Sequence, residues 1–162
     1  MRAGVQLITT SLFERVLEEA RSSPRRRMNF NFHATLDENP SRFLNVMLRG
    51  TYVTPHRHIE PPKAESFVVL EGRIAVVVFD DAGRPGEHYL LGASEAARGI
   101  DLAPGIWHTV AVVSPQAVCF EVKPGPYSAM QDKEFAPWAP HEGDPRCAAY
   151  LASLLSDLGL FA

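Results

Sequence analysis

Cysteine is scarce in this chain: 162 residues hold only Cys119 and Cys147, too few for a disulfide framework, and each reads as a small buried hydrophobe. Long apolar runs are missing too. None approaches the roughly 18 residues that span a bilayer, and the N-terminus lacks the charged-then-apolar pattern of a signal peptide, so the expectation is a cytoplasmic protein with no membrane partner. Positive charge is not in excess. Lys and Arg number 16 against 19 Asp and Glu, a net charge of −3, which argues against nucleic acid as a partner because phosphate contacts need a basic face. Repeats of 20 to 50 residues and low-complexity tracts are also lacking. What is present is an ordinary globular mix, 46% hydrophobic and 22% charged, at the length of a single domain.

Three textures divide residues 1–162 without breaking them into separate domains. In the first, 1–23, Leu12, Phe13, Val16, Leu17 and Ala20 form an amphipathic helical stripe, with Ser11 and Glu14 spaced as a capping box and Pro24 as the stop. The second, 42–123, consists of short runs rich in Val, Ile, Phe and Leu between Gly, Pro and Asp clusters, an all-β pattern. Strands are expected at 43–48, 50–57, 65–70, 73–80, 86–91, 99–103, 107–113 and 116–123, with Asp80–Gly86 as the clearest hairpin turn. Eight such strands suggest a sandwich or closed roll. Strand 73–80 is apolar on both faces, so one face should meet a helix or another subunit. The third texture, 124–162, is a proline-rich arm followed by a helix that Asp144-Pro145 should open and whose Leu151, Leu154, Leu155 and Leu158 make one stripe.

Chemistry concentrates around residues 54–72. His56 and His58 stand one residue apart on an expected strand, so both rings face the same way. If that face is a barrel interior, neutral imidazoles side by side are costly to bury unless something accepts their lone pairs, and a divalent metal does so. Gly50 precedes His56 by six residues, Glu65 precedes Gly72 by seven, and Pro104-Gly105-Ile106-Trp107-His108 follows.

In these residues, 50 to 112, the sequence resembles the cupin superfamily, with its Gly, His-x-His, Glu, Gly first motif and its Pro, Gly, His second motif. The resemblance implies a double-stranded β-helix, a jelly-roll barrel, here with short N- and C-terminal helices, and a metal held by His56, His58, Glu65 and His108. The chain departs from the pattern in the longer gap between His58 and Glu65, in Pro104 directly before Gly105, and in Val112 where asparagine is usual. Glu60 is a rival for Glu65: it shares the parity of His56 and His58, but Pro61-Pro62 interrupts the strand after it. Three imidazoles and a carboxylate suit Fe, Mn, Ni, Zn or Cu. The runs 23–33, 50–58, 120–127 and 132–140 together look like the WbuC-type cupin-fold metalloproteins, often encoded among bacterial surface-polysaccharide (O-antigen) genes. That likeness brings no known reaction with it.

Around the metal, Tyr52 has the parity of His56 and His58 and would act as an acid or donor if its strand is regular. Arg27, Asn29, Asn31 and His33 share a parity and would line the barrel mouth, Arg27, Asn29 and Asn31 to grip a substrate anion and His33 as a further catalytic candidate, with Phe30 and Phe32 facing away into packing. Trp107 and Trp138 read as core aromatics, His88 and His141 as surface residues. The function expected is a small metal-dependent enzyme on a polar or anionic small molecule, such as a sugar or sugar-nucleotide derivative, by isomerisation, epimerisation or oxygen-dependent cleavage. A non-catalytic binding or sensor module is the alternative. A homodimer is expected from the doubly apolar strand, the leucine stripe and the habit of the superfamily.

Overall fold

The computed structural model describes residues 4–128 and 132–160. Its elements in order are α1 (Thr10–Ser22), β1 (Arg27–Asn31), β2 (Ser41–Leu48), β3 (His56–Arg57), β4 (Glu65–Phe79), β5 (Pro85–Gly92), β6 (Gly99–Leu102), β7 (Trp107–Lys123), β8 (Glu134–Phe135) and α2 (Cys147–Asp157). All strand pairs are antiparallel, in one curled sheet running β1-β2-β7-β3-β8, with β4 joined to β5, β6 and β7. This is the cupin jelly roll that the motifs imply.

Two long strands organise the roll. Where the sequence suggests four strands, 65–70 with 73–80 and 107–113 with 116–123, the chain forms only β4 and β7. They pair along their whole length, with register shifts on either side of Gly72. A continuous pair of this length must bend to close a roll, and the bend falls at Gly72, whose φ is +72°. A Cβ there would lie 2.1 Å from the Gln116 carbonyl oxygen, so the position admits only glycine.

Alternation then sorts the side chains. Inward-facing Met47, Phe67, Val69, Ile74, Val76, Val110, Val112 and Cys119 form the barrel core. On the outside, Val16, Leu17 and Ala20 of α1 pack on Leu44, Val46 and Val118, with Phe30 and Phe32 alongside. The second apolar face of β4 is covered by this same chain: Ala75 meets Leu151 and Leu155 of α2, and Val77 and Phe79 meet Ala136, Ala139 and Leu154. Trp107 and Trp138 belong to that cluster, their ring centroids 6.1 Å apart. Burying each α2 leucine contributes about 1.5–3 kcal/mol. No helix among the described residues is long and apolar enough to cross a membrane.

Several boundaries differ from expectation for identifiable reasons. Thr9, not Ser11, caps α1: its hydroxyl accepts from the Leu12 N–H, while Ser11 bonds the Thr9 hydroxyl. Helix α2 begins at Cys147, later than Asp144-Pro145 suggests, although Asp144 still accepts the Arg146 N–H at 2.8 Å. Of the expected strand 50–57 only His56–Arg57 pairs; Gly50 turns with φ +84°, and residues 51–55 lie outside any strand. That segment therefore does not obey strand parity.

Candidate metal centre

The two ends of β7 and the start of β4 meet at one place. β3 lies against β7 with His56 opposite His108, Glu65 opens β4 on the inward parity of Phe67 and Val69, and His58 follows β3 by one residue. All four side chains are buried, and one ligand atom from each falls within 4.8 Å of the others. Glu60, the rival carboxylate, is exposed on the surface. The proline pair that follows it diverts the chain, and Glu65 takes the inward position.

Hydrogen bonds aim the rings. His56 Nδ1 lies 2.9 Å from the Thr54 carbonyl oxygen, His108 Nδ1 2.9 Å from that of Ile106, and His58 Nδ1 bonds the carbonyl of Asp132. A carbonyl can only accept, so in each neutral ring Nδ1 carries the proton and Nε2 presents a lone pair. The three Nε2 atoms point at one another's neighbourhood. Those of His56 and His58 are buried with no hydrogen-bond partner, and that of His108 lies 3.1 Å from Glu65 Oε2, with His58 Nε2 at 3.5 Å. Burial, then Lys133 and His108, hold His56 well below its ordinary pKa, so its ring is neutral. Burial works to raise Glu65, but its neighbours, among them the Glu121 carboxyl and the Lys123 ammonium, outweigh it and hold it well below the ordinary carboxylate range. Lone pairs and a carboxylate crowded on one point repel unless a cation lies among them, and the donor set fits a divalent transition metal.

Sequence reasoning missed the charged groups behind this cluster. Lys63, Glu121, Lys123 and Asp132 are all buried. Asp132 grips Lys63 at 2.8 Å and Lys123 at 3.0 Å, while its own carbonyl orients His58. Lys123 also lies 3.6 Å from Glu65 and 3.8 Å from Glu121. Burial alone would raise Asp132; the two ammonium groups reverse that and hold it low. For Glu121 burial and the neighbouring Glu65 charge act together and push it well up. One signal was available: Cys119, Glu121 and Lys123 share the inward parity of β7. Asp132 and Lys133 stand before β8 in a stretch with no periodicity to read.

The remaining candidates separate into two groups. Arg27, Asn29, Asn31 and His33 do line one pocket, of about 290 Å³, beside Lys123 and Glu121. Arg27 is already engaged, however, by the Tyr52 carbonyl at 2.8 Å and Glu142 at 2.8 Å, and His33 Nδ1 is tied to the Arg42 backbone. Tyr52 is displaced altogether. It sits on the outer face against α2, its hydroxyl donating to the Pro140 carbonyl at 2.7 Å. With residues 51–55 irregular, parity did not carry Tyr52 inward, and burial raises its phenol pKa, the opposite of what an acid at the metal needs.

Comparison with known proteins agrees with the architecture. CapF of Staphylococcus aureus, titled a capsular polysaccharide assembling protein, is similar at 18% identity and TM-score 0.58 over 70% of this chain, which spans only 30% of the CapF chain. TT1209 of Thermus thermophilus is similar at 21% identity and TM-score 0.52, covering 74% of this chain and 97% of that one. KdgF from Halomonas is similar at 16% and 0.50, covering 67% and 84%. At these identities the likeness shows the fold. No curated protein matches the sequence. Residues 8–91, just over half of the chain and including His56, His58 and Glu65, match the family described as Domain of unknown function (DUF6016), and the chain belongs to that family.

Proposed function

We propose that this chain is a metal-dependent cupin whose His56, His58, Glu65 and His108 hold one divalent transition metal, and that it acts on a polar, anionic small molecule of the sugar class. The observation that carries this reading is the convergence of three Nδ1-tethered imidazoles and a carboxylate, with two Nε2 atoms buried and unpartnered. When bound, such a metal polarises a substrate oxygen or lowers the pKa of a bound water toward about 7. The chain's own part is to fix ring orientation through Thr54, Ile106 and Asp132, and to present a polar pocket lined by Lys123, whose ammonium lies 3.6 Å from Glu65. The role of CapF in capsular polysaccharide assembly and the likeness to WbuC-type proteins support a sugar-related ligand, and isomerisation, epimerisation or oxygen-dependent cleavage is the reaction proposed. A cytoplasmic homodimer is part of the same proposal, resting now on the habit of the superfamily, since the second face of β4 and the α2 leucines cover each other within one chain.

A second reading, a binding or sensor module in which the metal only anchors a ligand, is favoured by the position of Tyr52, which leaves the site without its expected hydroxyl. The experiment is metal analysis of protein purified without added metal. Near-stoichiometric metal that falls sharply in Glu65→Gln and persists in Glu60→Gln supports the ligand set; the reverse pattern overturns it. Turnover of a sugar substrate by the loaded protein separates enzyme from binder.

A further inference from the structure

The pocket beside the metal centre has more to say about its ligand. Its volume is about 290 Å³, at the lower limit of small-molecule sites, which run from roughly 300 to 1,000 Å³. One sugar ring fits such a space, whereas a nucleoside diphosphate sugar does not. Polar groups unspent by the fold face it. Ser41 is 2% exposed, lines the pocket, and its hydroxyl has no partner among the described residues. Asn45 donates from Nδ2 to Glu121 at 3.3 Å while its Oδ1 is buried and unpartnered. Buried polar atoms left this way are costly and mark where a ligand's hydroxyls belong.

The cations lining the pocket can be sorted by what already holds them. Arg25 and Arg27 are both bound to Glu142, at 2.7 and 2.8 Å, and Lys123 is bound to Asp132. Lys133 forms no ion pair among the described residues. It is half-buried and reaches the pocket from the residue before β8; burial and the Lys123 ammonium lower its pKa, while Glu65, Glu121 and Asp132 work the other way. Glu121, the carboxyl that lines the pocket, is engaged by Asn45 and Lys123.

We infer that this pocket binds a polyhydroxylated monocarboxylate the size of one sugar ring, with the Lys133 ammonium taking the carboxylate and Ser41 and Asn45 reading hydroxyls. The inference rests on the proposed anionic sugar-class ligand and narrows it. One unspent ammonium suits a single negative charge, while the forked donors that suit a phosphate dianion or a pyrophosphate belong to Arg25 and Arg27, each already paired with Glu142.

The test is calorimetric titration of the full chain with glucuronate, glucose, glucose 1-phosphate and UDP-glucose, with metal content measured on the same samples. Glucuronate should bind best, by roughly tenfold or more over glucose, the usual worth of a charged hydrogen bond. Lys133→Met should abolish that preference in folded protein that still carries its metal, and Ser41→Ala should weaken glucuronate and glucose alike by roughly fivefold. Equal binding of glucuronate and glucose, tighter binding of either phosphorylated probe, an unchanged preference in Lys133→Met, or no binding of any probe would each overturn the inference. A metal-free protein that still prefers glucuronate through Lys133 would remove the metal reading and leave this one standing.

Discussion

The interior of the roll has two halves built from the same strands. In one, Met47, Phe67, Ile74, Val76 and Val112 pack as an ordinary core. In the other, β4 and β7 present Glu65, His108, Glu121 and Lys123 at the same inward parity, and Asp132 closes the set from outside the long strands. The apolar half is held by removal of surface from water, which tolerates imprecise geometry. The charged half is held by mutual satisfaction, so the loss of one member strands the others. That asymmetry predicts different outcomes for equally buried positions.

The largest effect should come from Asp132→Ala, which leaves Lys63 and Lys123 buried without their carboxylate. It should cost about 3–5 kcal/mol in urea unfolding and, by loosening the carbonyl that orients His58, lower metal affinity roughly 10–100-fold. Ile74→Ala, in the apolar half, should cost about 2–5 kcal/mol but leave metal stoichiometry unchanged. A loss of metal in that variant would erase the distinction between the halves.

How much of this could be read from residues alone follows the same division. The clustered residues His56, His58, Glu65 and His108 were legible through the motif resemblance, whose glycines turn or bend the chain here, Gly50 and Gly105 at positive φ and Gly72 within β4; parity alone favoured Glu60, which is exposed. The pocket face of β1 was legible too, since Arg27, Asn29 and Asn31 alternate strictly with Met28 and Phe30. Tyr52 was misplaced because parity has no meaning in the unpaired segment 51–55. The charged half was missed because Lys63, Lys123 and Asp132 look like solvated residues until their partners, up to 69 positions apart, are brought together.

Smaller effects sharpen the comparison. Tyr52→Phe removes the bond to the Pro140 carbonyl and should cost about 1 kcal/mol with metal binding untouched; loss of metal would return Tyr52 to the site. Acid should discriminate least. Asp132 is held below its ordinary value of 3.8, so its contribution is full above that pH and is lost as pH falls through the depressed folded-state value. Thermal midpoints should therefore fall more steeply below about pH 4 in the wild type than in Asp132→Asn, and parallel curves would contradict the role given to this carboxylate.

The most direct test of the account is X-ray absorption at the metal edge of the purified protein. Three imidazole nitrogens at roughly 2.0–2.1 Å, with outer-ring scattering that drops by one ring in His108→Ala, is the result expected. A protein that binds no transition metal, or a metal whose spectrum carries no imidazole scattering, would contradict it.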